Sequence, residues 1–242
     1  MPLKKFLVSI AILSISLNIS GSFSRFYESL LLPGLENSIS QDTLKNNQIL
    51  YNGRIWRNLN YRVQGHQFLF SDSFLPGTLV VRGKEFSDVT LKYDAFKDEV
   101  LIPLNTGRIL QVNKERVDSF IIFWQNKKYL FTKSGEHNET GYVNLIYKGK
   151  SALYVKYSKK IELLADQGKV DKFYQTSQIY YVKDSIMHPV DGRRDLMKVL
   201  KDDKDLVRSF LRNNKLKISK NSPDSFIPLI QYLDNNRQPV LR

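Results

Sequence analysis

The chain has 242 residues, 42% hydrophobic and 25% charged, which suits one generous folded domain or two small ones and excludes a stapled mini-protein or a wholly disordered chain. It contains no cysteine, so thiol nucleophiles, disulfides, thiolate metal sites, iron–sulfur clusters and a lipoprotein anchor are excluded. Lysine and arginine outnumber aspartate and glutamate 37 to 24, a formal charge of +13.

The first segment, residues 1–24, has the form of a cleaved secretory signal. Lys4 and Lys5 precede an uncharged apolar run from Phe6 to Ile19, and the small residues Ser20, Gly21, Ser22 and Ser24 follow. Fourteen uncharged residues fall short of the roughly 20 that a membrane-spanning helix needs, and they match the core of a signal peptide. Cleavage after Ser22 or Ser24 removes Lys4 and Lys5, leaving 35 basic against 24 acidic side chains, a net of +11. Behind an export signal, that excess points away from nucleic acid. It points toward lipopolysaccharide phosphates, phospholipid headgroups, acidic glycans or an envelope protein, which a basic surface steers without identifying.

Residues 25–47 read as an arm or linker. From residue 48 to about 190 the period becomes two. Tyr61 and Val63 alternate with Asn60, Arg62 and Gln64, and Val89, Leu91 and Tyr93 with Thr90, Lys92 and Asp94. Further strands run through Phe120 to Trp124, Val143 to Tyr147 and Leu153 to Tyr157. Turn formers punctuate them at Asn52-Gly53, Gly65, Pro76-Gly77, Gly83, Gly107, Asn126, Gly135 and Gly149. Gaps this short cannot hold helical crossovers, so the expected fold is mainly β, an α+β chain with an antiparallel meander of about ten strands. The meander would form a curved sheet, a sandwich or an incomplete barrel, with C-terminal helices packed on it. The aromatic residues, 12% of the chain, fill the core of such a sheet or line a cavity in it.

Residues 191–242 switch to helical period. At about 100° per residue, Leu196, Val199, Leu200, Leu206, Val207, Phe210 and Leu211 gather on one side of the wheel. Arg193, Arg194, Lys198, Lys201, Lys204, Arg208, Arg212 and Lys215 gather on the other. Asp203 intrudes on the apolar stripe, which predicts a break at residues 201–204 with Asp202 or Asp203 capping a second helix. A last helix is expected from Ser222-Pro223-Asp224. Residues 193–220 hold ten Lys or Arg against four Asp, so the basic face is the candidate surface for an anionic partner.

Catalytic signals are weak. His66, His137 and His188 lie in separate turn or loop contexts with no metal-ligand spacing, so neither a metal nor a cofactor is expected. No nucleophile elbow is present. Asp94, Asp98 and Glu99 cluster between two strands, as a carboxylate pair for glycan hydrolysis would. The form of that stretch is a β-turn dressed with acids. His137 stands in a polar stretch, Ser134 to Thr140, that reads as a hairpin loop.

Several stretches together carry a resemblance: Tyr51-Asn-Gly-Arg-x-Trp56, Phe68-Leu-Phe70 through Phe74-Leu-Pro-Gly77, and Tyr93-Asp94 with Asp98-Glu99. Val117-Asp-Ser-Phe120, Leu153-Tyr-Val-Lys-Tyr157, Arg194-Asp-Leu and Asn214-Lys-Leu-Lys217 continue it. From about Asn47 to Tyr232 the chain resembles an exported protein family of Bacteroidota with no assigned function. The resemblance implies export into a Gram-negative envelope and carries no catalytic residue. In that lineage, Asp42-Thr43-Leu44 and Asp184-Ser185-Ile186 match an O-glycosylation pattern, making Thr43 and Ser185 candidate acceptors. The functional expectation is a non-enzymatic protein of the periplasm or outer-membrane periphery that binds a protein or anionic envelope component. A lipid or apolar-ligand carrier is the alternative, and a glycan- or peptide-acting envelope hydrolase the third reading.

Overall fold

A computed structural model describes residues 48–133, 141–163 and 170–236. The expected signal peptide, the arm with Thr43, and the loop with His137 lie outside these residues. From Leu50 onward the chain forms one compact unit. Among the described residues, eleven strands make up its sheet: β1 (Gly53–Ile55), β2 (Leu75–Val81), β3 (Lys84–Asp94), β4 (Glu99–Pro103), β5 (Ile109–Val112) and β6 (Val117–Trp124) come first. Then follow β7 (Lys127–Lys133), β8 (Tyr142–Lys148), β9 (Ala152–Glu162), β10 (Lys172–Lys183) and β11 (Ile186–Val190). All pair antiparallel in the order β1-β5-β4-β3-β2-β6-β7-β8-β9-β10-β11, an open sheet with two edges.

Local chemistry sets most of these pairings. A two-residue type I′ hairpin turn matches strand twist and needs positive φ at both central positions. Arg82-Gly83, Gln125-Asn126 and Asp184-Ser185 supply it, with φ of 51° and 73°, 48° and 59°, and 51° and 64°. The eleven residues of β3 exceed what one partner needs. Its first part pairs with β2 and its last three residues with β4, so the sheet bends there. The bend brings the β3–β4 turn against β9, where the Lys159 N–H donates to the Ala95 carbonyl at 3.0 Å.

The sheet alternates as a half-buried strand set should: Leu75, Gly77, Leu79 and Val81 of β2 point inward. Inside the bend, Tyr93, Phe120, Phe131 and Tyr142 are fully buried and pack ring on ring, with Phe120 and Phe131 stacked at 4.8 Å. Tyr142 meets Phe120 edge-on at 5.1 Å. Beyond the sheet come α1 (Arg193–Val199), a 3-10 turn (Lys201–Asp203), α2 (Lys204–Asn213), a second 3-10 turn (Pro223–Phe226) and α3 (Ile227–Asn236). Leu196, Leu200, Val207, Leu211, Phe226, Leu229, Ile230 and Leu233 form one core with Leu153, Val155, Ile179, Tyr181 and Val190 of the sheet. Buried Asp234 fixes the last helix to the β8–β9 hairpin, accepting from Ser151 N at 3.0 Å, Ser151 Oγ at 2.8 Å and Tyr147 Oη at 3.0 Å.

Three expectations need correction. Residues 60–64 are not a strand: Tyr61 is 70% exposed, so the alternation there faces no core. The helix does break at the predicted place, but Asp203 stands at the cap position without a side-chain capping bond. The 3-10 turn runs straight into α2 and leaves Asp203 at φ −104°, ψ 16°, not in the extended conformation that aims a capping side chain. The last helix is likewise preceded by a 3-10 turn, and Ser222 makes no capping bond.

Candidate functional site

The basic face becomes a concave surface because the chain bends between α1 and α2. Arg193, Arg194 and Lys198 on α1, Lys201 on the 3-10 turn, and Lys204 and Arg208 on α2 line a shallow, open concavity of about 520 Å³. Met197 lies among them, half-buried against the helix–sheet core. The apolar stripe buries Leu196, Leu200, Val207 and Leu211, which leaves the cations no direction but outward. Two of them are engaged locally: Lys198 pairs with Asp195 at 2.9 Å and Arg208 with Asp205 at 3.3 Å. The bond from Lys198, with one from the Asp191 N–H, holds the Asp195 carboxyl below its usual range. Exposed pairs of this kind contribute little to stability, so an incoming anion displaces them readily. Arg212 and Lys215, expected on the same face, are exposed but do not line the concavity: Arg212 sits in the last turn of α2 and Lys215 follows it at φ 48°.

The acidic cluster proves structural. Asp94 is fully buried, and its carboxylate accepts from the Phe96 and Lys97 N–H groups, each at 3.0 Å, and from Gln67 Nε2. It caps its own turn, and burial pushes it above the usual carboxylate range. Glu99 lies opposite it in the β3–β4 ladder, pairs with Arg54 at 3.3 Å and is also pushed up, first by burial and then by Asp94.

Asp98 is the most engaged of the three. Its carboxylate accepts from Tyr93 Oη at 2.5 Å, Lys114 Nζ at 2.5 Å, Lys156 Nζ at 2.7 Å and the Tyr142 N–H at 3.3 Å. Burial raises its pKa, but Lys156, Lys114 and Tyr93 outweigh that and hold the carboxyl below its ordinary value. Lys156 is itself pushed down by burial, against the pull of Asp98, and also donates to the Tyr142 carbonyl at 3.0 Å. Gly141 makes room for the group: at φ +68°, an added Cβ would run into the Asp98 carboxylate. This knot ties the β3–β4 turn to β8 and β9 across the bend. A carboxylate so saturated has no lone pair to offer a substrate.

His66 sits in the irregular segment between β1 and β2, and His188 on edge strand β11. Among the described residues, no group of three His, Asp or Glu side chains is placed to hold a metal ion, and no helix is long and apolar enough to cross a membrane. Ser185, a candidate glycan acceptor, occupies the exposed tip of the β10–β11 hairpin. Sequence reasoning missed the partnership of Asp98 with Lys156, fifty-eight positions apart. The only signal was a lysine inside the alternating pattern of β9. Compared with known proteins, the chain matches no family model, no curated protein and no solved structure.

Proposed function

We propose that this chain is a non-enzymatic binding protein of a Gram-negative envelope, delivered by its signal peptide, whose C-terminal helical face holds an anionic envelope component. The observation that carries this reading is the convergence of Arg193, Arg194, Lys198, Lys201, Lys204 and Arg208 on one concavity. A dispersed basic surface keeps a protein soluble; cations gathered on one shallow concavity raise the local concentration of a multivalent anion and contact it together. Lipopolysaccharide phosphates, anionic phospholipid headgroups and acidic glycans share that chemistry. The hydrolase reading finds Asp94 buried and Asp98 saturated. The carrier reading has no observation in its favour, since the rings that would line its cavity pack on each other.

Titration calorimetry of the mature protein with lipopolysaccharide, phosphatidylglycerol vesicles and polygalacturonate ranks the three chemistries. Saturable binding to at least one, weakening steeply between 50 and 300 mM salt as about a Debye length of screening predicts, supports the reading. Binding to none of them would refute it.

A further inference from the structure

We propose a second binding site, independent of the basic concavity: a polar pocket in the segment between β1 and β2 that takes the hydroxylated edge of one neutral sugar residue. Residues 56–74 form nineteen positions without strand or helix, longer than a compact domain ordinarily spends on a plain connection. The segment is nevertheless pinned by main-chain bonds to distant strands. Gln64 N donates to the Asp171 carbonyl at 2.8 Å, Phe173 N to Gln64 at 3.0 Å, Leu69 N to Tyr93 at 2.9 Å, and Ala95 N to Gln67 at 3.1 Å. A loop held this firmly positions its side chains.

What it positions is a pocket of about 90 Å³, lined by Asn58, Asn60, His66, Gln67 and Asp72 and walled by Phe68 and Phe173. The amides are oriented by their own bonds. Asn60 Nδ2 donates to Gln67 Oε1 at 3.0 Å, and Gln67 Nε2 donates to Asp94. Asn58 Oδ1 accepts from Asn60 N at 3.0 Å. This leaves the Asn60 amide oxygen as an acceptor and the Asn58 amide NH2 as a donor, with the His66 ring lining the pocket beside them.

A mixture of donors and acceptors suits hydroxyl groups, each of which both donates and accepts; phosphate, an anion, is chiefly an acceptor. The carboxylate that lines the pocket is already paired. Asp72 pairs with Lys92 at 3.2 Å, and the Lys92 ammonium lies 4.5 Å and 4.7 Å from the Phe68 and Phe74 ring centres. Burial, followed by the nearby Lys159, holds His66 below its ordinary pKa, so it is neutral at pH 7. The pocket is smaller than the several hundred Å³ of a site that engulfs its ligand, so it admits one ring edge. Tyr61, at the pocket and largely exposed, offers a face for the rest of the sugar.

The test is saturation-transfer NMR on the full chain with glucose, galactose, mannose, N-acetylglucosamine, N-acetylgalactosamine, fucose and rhamnose as separate probes. At least one gives transfer at millimolar concentration. Tyr61→Ala, at an exposed position, weakens that sugar about three- to tenfold, His66→Phe abolishes transfer, and Lys201→Glu leaves it unchanged. No transfer from any sugar would overturn the proposal. So would transfer that both pocket variants, checked for native spectra, leave untouched, or that inorganic phosphate competes away.

Discussion

Replacing Asp98 by asparagine keeps the shape of the side chain and removes its charge. In the folded protein, the Lys156 ammonium then remains with the Tyr142 carbonyl at 3.0 Å and the Tyr93 hydroxyl at 3.4 Å. Its side chain is only 17% exposed, so water replaces little of what is lost. At 2.7 Å and an effective dielectric of about 20, the pair attracts by about 6 kcal/mol, a gain that desolvation of both ions largely offsets. Removing one ion keeps the desolvation and loses the attraction, so Asp98→Asn costs about 3–5 kcal/mol, or roughly 10 °C in Tm. Lys156→Met costs less, because Lys114 still serves Asp98. The double variant Asp98→Asn, Lys156→Met recovers a large part of the loss. Urea unfolding of all four proteins measures the cycle. The carboxyl of Asp98 is depressed in the fold, so its stabilisation is present above the ordinary aspartate range near 3.8 and lost as pH falls through the folded value. The unfolding curves of wild type and Asp98→Asn therefore converge in acid. Asp94 and Glu99, pushed up by burial, relieve strain on acidification in both proteins and cancel from the difference. A cost below about 1 kcal/mol, or additive single variants, would refute the claim that this knot holds the bend.

Gly141→Ala combines positive φ with a collision against the Asp98 carboxylate, and should lose at least about 2 kcal/mol in the same assay. Asp234→Ala leaves the Ser151 N–H and hydroxyl and the Tyr147 hydroxyl without their acceptor. It should cost about 2–3 kcal/mol, with hydrogen exchange faster in Ile227–Asn236 than in β2 or β6. Reversing Lys198, Lys201, Lys204 and Arg208 to glutamate should move Tm by no more than about 3 °C, since each is exposed and the ion pairs of Lys198 and Arg208 are local and solvated.

What the sequence revealed and concealed follows from the range of the interactions. Hairpins closed by Gly83 and Asn126 were legible because a turn is chosen by the two residues that form it. The hairpin at Asp184-Ser185 was not, because neither residue advertises positive φ as glycine does. The basic face was legible because a helix writes its geometry at a fixed period, and the break at residues 201–204 showed as the one acid on the wrong side. That six of those cations would line one concavity depended on the bend itself. Residues 60–64 alternate like a strand, yet Gln64 and Gln67 bond to β10 and to the turn after β3, anchors no local pattern encodes. Asp98 read as a turn acid, correctly, while its ion pair awaited the bend that brings β9 beside the turn.

The central claim is that the cations around the concavity, rather than the net charge of the chain, bind the anion. Binding to phosphatidylglycerol vesicles and lipopolysaccharide at 100 mM salt compares wild type with two charge-matched variants: Lys201→Glu with Lys204→Glu inside the hollow, and Arg212→Glu with Lys215→Glu outside it. Each pair changes the net charge equally. The inner pair should weaken binding at least tenfold and the outer pair by less than threefold. Equal losses from both pairs would contradict the claim.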